Sequence, residues 1–321
     1  MTTTDGRSFT LLVAALWLTN ILPALDATLV GTALPTVIGS LDGVRLYSWV
    51  FATYLLALTV SIPVFGKLTD LFGRKPVYFV GMGLFIVGSA LSSLVQNVEQ
   101  LIACRILLGL ATASVVPAAM TIMGDAIPME RRARIQWVFA SAWFVSSIVG
   151  PAVASLVIAW IGWRAVFLVL VPPGLLATYL MSTCYHEHVE RRSRRVDIPG
   201  VALLGGGVLA LLFALSPTNR SGGIDPASAG GLLAVAALLL ALFLRHELRT
   251  AEAVLPPRLF LAPVLGIAAL GSVASGVVQS GAQSFVPMFV QGGMGGTAAD
   301  VGLVLPWLTI GWPIGAGLAG R

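Results

Sequence analysis

Long apolar runs, each about the length of one membrane crossing, alternate with short polar segments along almost the whole chain of 321 residues. A helix that crosses a bilayer needs about 20 mostly apolar residues. Ten segments meet that need: 9–36, 47–66, 76–96, 100–124, 135–159, 165–184, 199–216, 227–245, 263–290 and 300–320. None shows the two-residue alternation of barrel strands. A backbone in hydrocarbon must also satisfy its own hydrogen bonds, so every run reads as a helix. The first run follows a single arginine, as a secretory leader would. It continues past any cleavage point and nine more runs follow, so it is read as a span and not as a removed segment.

Composition agrees with that reading. Hydrophobic residues make up 57% of the chain and charged residues 10%, against about 25% charged in soluble domains. The 35 glycines and 18 prolines suit close-packed, kinked membrane helices. The net charge of +5 does not point to nucleic acid, because the basic residues alternate from loop to loop. With the N-terminus inside, fifteen fall in inner segments: Arg7, Lys67, Arg74, Lys75, Arg131, Arg132, Arg134, Arg191, Arg192, Arg194, Arg195, Arg245, Arg249, Arg258 and Arg321. Three fall outside, Arg45, Arg164 and Arg220, and Arg105 lies within a span. That bias places both termini in the cytoplasm, with Trp49, Trp160 and Trp163 near the outer boundaries. Cys104 and Cys184 form no disulfide or metal pattern and read as free thiols.

Two features carry candidate chemistry. The first is the turn "GKLTDLFGRKP", residues 66–76, between spans two and three. Gly66 and Gly73 permit a tight reversal; Asp70 and Arg74, four apart, share a face if the turn is helical. A topology-setting basic loop with a chance aspartate is the other reading. The second feature is a pair of ionisable residues within spans, Asp26 and Arg105. A charge at the bilayer centre costs at least about 2.5–3.5 kcal/mol, so such residues face the protein interior and mark function or a fixed pair. Asp26 lies roughly 26 Å along the outward first span and Arg105 roughly 7 Å into the inward fourth, at ~1.5 Å per residue. Both fall in the outer half and can pair if the helices adjoin, either as a proton site or as a static pair that fixes packing. Thr19, Gly109 and Thr112 share their helix faces. Gly150-Pro151 permits a kink in span five, and Gly109, Ala113 and Gly150 permit close helix approach. Trp17, Asn20, Met120 and Trp143 are candidates to line a cavity.

The turn resembles the signature loop of the major facilitator superfamily, G-x-L-a-D-r-x-G-r-k. Gly66, Leu68, Asp70, Gly73, Arg74 and Lys75 match, and Leu71 replaces a basic residue. Five further segments, in order, are similar to the fourteen-helix drug:proton antiporter branch. "LDATLVGTALP" (25–35) resembles its first-helix motif, with Gly31 for asparagine. "RILLGLATA" (105–113) resembles the fourth-helix R-x-x-q-G, with Leu108 for glutamine. "SSIVGPAVAS" (146–155) resembles the fifth-helix antiporter motif, keeping Gly150 and Pro151 but with Ser146, Ala154 and Ser155 for glycines. "GWRAVFLVLVPPG" (162–174) and "RRVDIPGVALL" (194–204) complete the series.

The resemblance implies an all-α major facilitator fold: a six-helix N-terminal bundle (1–185), a cytoplasmic bridge with two additional spans (186–262), and the first two helices of a second bundle (263–321). Branch members have fourteen spans, so the chain is expected to be a fragment or a truncated product. Asp70 is then expected to latch one state of the transport cycle. Asp26 would bind and release H⁺ beside Arg105, in antiport of lipophilic drugs across the cytoplasmic membrane. Asp26→Asn is expected to stop proton release and leave the protein folded. A major facilitator with another substrate, or a non-transporting fragment, is the competing expectation. No HExxH, GxSxG or phosphate-binding loop occurs, which argues against an enzyme. The expected partners are a small molecule, H⁺ and membrane lipids, with no cofactor, no metal and no nucleic acid. His186 and His188, near Cys184, read as part of a solvated basic loop.

Overall fold

Apolar runs with no water to bond to their backbone fold as helices, and the described part of the chain is helical almost throughout. The structure, a computed structural model, describes residues 6–127, 129–185, 187, 197–215, 226–250 and 262–309. In chain order the helices are α1 Gly6–Ser40, α2 Tyr47–Phe72 after one 3₁₀ turn, α3 Arg74–Ser92, α4 Val98–Ala126 and α5 Met129–Trp160. There follow α6 Arg164–Leu168, α7 Val171–Cys184, α8 Ile198–Leu215, α9 Pro226–Glu247, α10 Pro263–Met288 with a π-helical extension Phe289–Gly293, and α11 Ala298–Thr309. Nine helices among the described residues are long and apolar enough to cross a membrane. The predicted tenth span is described only to Thr309. Apart from Glu187, the basic segment 186–195 lies outside the described residues.

Local chemistry explains the boundaries. Asn97 caps α4 by accepting a hydrogen bond from the Gln100 amide at 2.9 Å. Pro23 and Pro35 lie inside α1 without ending it. Span six is one membrane-length segment, Arg164–Cys184, whose helical ladder is interrupted between α6 and α7. Pro172 and Pro173, at the start of α7, have no N–H to donate to the carbonyls of Leu168 and Val169, which accounts for the interruption.

Helices α1 to α7 share one core that runs from Leu12 to Tyr185. In it α4 packs between α2 and α3, and α1 packs against α5 and α7. Helices α8 and α9 form a pair with α8 laid on α2; α10 meets α1 and α11 meets α5.

Candidate functional site

Asp26 on α1 and Arg105 on α4 meet in the middle of this core. The Arg105 Nη1 donates to both carboxylate oxygens of Asp26 at 2.9 Å. Their exposures are 0% and 1%, so neither charge touches lipid or water. The guanidinium carbon sits 4.4 Å from the centroid of the Tyr54 ring, a cation–π contact of the kind that strengthens when desolvated. Tyr54 in turn donates to the Thr112 hydroxyl at 3.2 Å, which fixes the ring. Among the described residues the Arg105 Nε has no hydrogen-bond partner. Thr19, also buried, shares a 2.7 Å hydrogen bond with the Tyr78 hydroxyl. Tyr54 escaped the sequence reading because an aromatic in an apolar run carries no signal of the helix it will face.

Two glycines let the helices come this close. A Cβ on Gly109 would lie 2.5 Å from the Tyr54 carbonyl oxygen and 2.8 Å from the Ala57 Cβ. A Cβ on Gly150 would overlap the Thr28 side chain, so the Gly150-Pro151 segment of α5 lies close against α1. Ser146, one turn earlier, is fully buried and its hydroxyl has no partner among the described residues. Trp17 and Asn20 are committed to α5: the indole N–H donates to the Ser141 hydroxyl at 3.1 Å and the Asn20 amide to the Phe139 carbonyl at 3.0 Å.

The signature turn is not one continuous helix. α2 carries Gly66 and Asp70 and stops at Phe72; Gly73 follows with φ +93° and α3 begins at Arg74. Asp70 and Arg74 therefore sit on different helices. The Arg74 guanidinium pairs with Asp125 at the end of α4. Glu187, just past α7, accepts from the backbone amides of Arg74 at 2.5 Å and Lys75 at 3.2 Å. It thus caps the N-terminus of α3 with a negative charge, where the helix dipole favours one. The Lys75 ammonium donates to the carbonyls of Tyr185 at 2.6 Å and Ser182 at 3.3 Å. Burial pushes the Tyr185 phenol up, the Glu187 charge adds to the rise, and Arg74 opposes it. Sequence reasoning missed Glu187 and Asp125 because each lies far along the chain from the turn.

Gly73 answers to two constraints: a left-handed φ, and the Glu187 carboxylate 2.8 Å from where a Cβ would sit. Glu187→Ala is expected to lower stability by about 0.5–2 kcal/mol, the range for a lost N-cap, with Glu187→Gln losing less. Chemical or thermal unfolding followed by tryptophan fluorescence reads the difference. Equal stability of Glu187→Ala and the parent chain would show that the cap is idle.

A second polar seam joins α1 to α10. The Gln291 side chain donates to the Thr32 carbonyl at 2.9 Å and accepts from the Thr36 hydroxyl at 3.3 Å. Gln291 lies in the π-helical turn Phe289–Gly293, a local geometry frequent at functional sites. Tyr47 donates to the Ser284 carbonyl at 2.7 Å.

The chain matches known proteins along nearly its full length. The sequence model of the Major Facilitator Superfamily matches residues 16–321. The chain belongs to the major facilitator superfamily. It is 31% identical over 312 residues to the multidrug transporter protein MdtP of Bacillus subtilis (strain 168), covering 97% of this chain and 58% of that protein. It is 30% identical over 319 residues to multidrug resistance protein 3 of the same organism, covering 99% of this chain and 62% of that protein. The chain thus spans about three fifths of the length of these curated relatives. Among solved structures, the POT family transporter PepTSo matches with a TM-score of 0.58 at 15% identity, over 88% of this chain and 62% of that one, a likeness of fold. This major facilitator chain is a multi-pass, all-α membrane protein.

Proposed function

We propose that the protein takes part in proton-coupled efflux of lipophilic small molecules by alternating access, with Asp26 as the proton-binding group. The observation that carries this reading is the fully buried Asp26–Arg105 pair. Two of the relatives are named as multidrug transport or resistance proteins, which supports a lipophilic, drug-like substrate. In this reading residues 1–185 are the first bundle, 186–262 the bridge and additional helices, and 263–321 the opening of the second bundle. The protein sits in the cell membrane with both termini cytoplasmic, as the loop charges favour.

The energetics link the proton to a change of shape. Protonating Asp26 where it stands leaves Arg105 charged and unpaired, and breaking a buried pair costs about 3–5 kcal/mol. A charge driven through 100 mV supplies about 2.3 kcal/mol, which falls short. Proton binding is therefore favourable only in a conformation that gives the guanidinium water or another acceptor. The Nε–H already available on Arg105 is one point where such an acceptor can bind. Asp70, at the end of α2, keeps its proposed role as a latch between states, and the Gln291 seam between α1 and α10 is a contact that such a motion would open.

The test uses the full chain in liposomes with an imposed pH gradient and tetraphenylphosphonium as probe. Gradient-dependent movement of the probe, abolished in an Asp26→Asn/Arg105→Gln double variant, is expected. Probe movement that survives collapse of the gradient would remove the proton from the cycle. Absence of any movement in the parent chain would favour the non-transporting reading.

A further inference from the structure

A cavity of about 650 Å³ opens between α2, α4 and α8, away from the Asp26–Arg105 pair. Its walls include Trp49, Val60, Ile106, Gly205, Leu209 and Phe213, and among the described residues no charged side chain lines it. On α4 the cavity side carries Ile106, 41% exposed, next in sequence to the fully buried Arg105. The tight α2–α4 contact at Gly109 adjoins the cavity through Ala57, which lines it. The size falls within the roughly 300–1,000 Å³ of small-molecule sites, but such sites also need a few convergent polar groups to fix the ligand. Here the polar lining is two hydroxyls, Thr53 and Ser61, and that of Thr53 is already spent on the Trp49 carbonyl at 2.7 Å.

Three further observations define the occupant. All three walls are membrane-spanning helices, so the medium that reaches the cavity is the bilayer. From Trp49 to Val60 the α2 wall runs about 16 Å at ~1.5 Å per residue, close to half of the ~30 Å hydrocarbon core. At the Trp49 end, the indole lies 4.7 Å from the Phe213 ring and bridges α2 to α8, as an interfacial aromatic does. Arg45, exposed and one turn earlier, puts a positive charge at that rim. An apolar slot one leaflet deep, with an aromatic lintel and a cation above it, fits a lipid tail below an anionic headgroup. Dispersion contacts with the slot walls, which a void forfeits, hold the tail.

We propose that this cavity holds one acyl chain of a bilayer phospholipid, with the headgroup phosphate at Arg45. The site does not depend on proton coupling, only on the chain's being a membrane protein. The test purifies the full chain in mild detergent, adds dioleoyl phosphatidylglycerol and counts retained lipid by native mass spectrometry. One retained lipid per chain is expected. Ile106→Trp and, independently, Leu209→Trp fill the slot and are expected to lower retention at least tenfold; Arg45→Glu is expected to lower it severalfold. Leu176→Trp, an exposed change on α7 outside the slot, is expected to leave it unchanged. Monodispersity on size exclusion identifies any variant that misfolds, and the other slot variant then decides. Retention unaffected in a folded slot variant would overturn the proposal. So would equal loss in Leu176→Trp, or displacement of the lipid by micromolar tetraphenylphosphonium, which would make the slot a substrate path.

Discussion

Arg105→Leu is expected to destabilise the protein by about 3–5 kcal/mol, the cost of leaving a buried partner charge uncompensated. The Asp26 carboxylate is fully buried, and both of its oxygens accept from the same nitrogen of Arg105. With leucine at 105 no donor replaces that nitrogen, and the Tyr54 ring loses its cation. Asp26→Asn leaves the guanidinium an amide oxygen to donate to but no counter-charge, since arginine stays charged in proteins. The sequence reading had Asp26→Asn leaving the fold intact; the sealed geometry of the pair argues for a destabilised variant instead. The paired replacement Asp26→Leu/Arg105→Met removes both charges and is expected to recover most of the loss, because well-packed apolar groups often equal or exceed a buried ion pair in stability. Thermal unfolding in detergent of the two single variants and the double variant measures the coupling. Single losses that add up in the double would show that the two residues do not act as a pair.

Gly109→Leu is expected to be nearly as severe. A Cβ there meets the Tyr54 backbone 2.5 Å away, and backbone cannot swing aside as a side-chain tip can. Overpacking of a tight core costs typically about 1–3 kcal/mol, and this contact also positions Tyr54 under the Arg105 guanidinium. The variant should therefore lose stability and weaken the ion pair together. Gly83→Leu on α3, where a Cβ meets nothing within 4 Å, is the matched control and should cost little. Yield and unfolding temperature of the two variants, purified side by side, check this. Equal behaviour would mean that α2 and α4 separate at no cost.

Much of the architecture could be read in the sequence. Nine of the ten predicted runs correspond to membrane-length helices among the described residues, because hydrophobic length and the need to close every backbone hydrogen bond act locally. Motif matches in order identified the family. Asp26 and Arg105 stood out because charge inside a span is costly wherever the partner lies. Their similar depth followed from simple rise per residue, and the structure brings them within hydrogen-bond distance.

Other features depended on contacts between residues far apart in sequence. The interruption of the helical ladder within span six falls at two adjacent prolines, Pro172 and Pro173. At the turn, i to i+4 spacing joined Asp70 to Arg74, but the positive φ of Gly73 separated their helices and directed Arg74 to Asp125. The cap from Glu187 spans 113 residues of chain, and the Gln291 seam spans 259. Local pattern thus determined that the chain is a set of membrane helices with Asp26 and Arg105 inside two of them. Only the packing of those helices decided which charges neutralise each other, since Coulomb energy in a low-dielectric core depends on separation and burial in three dimensions, not on distance along the chain.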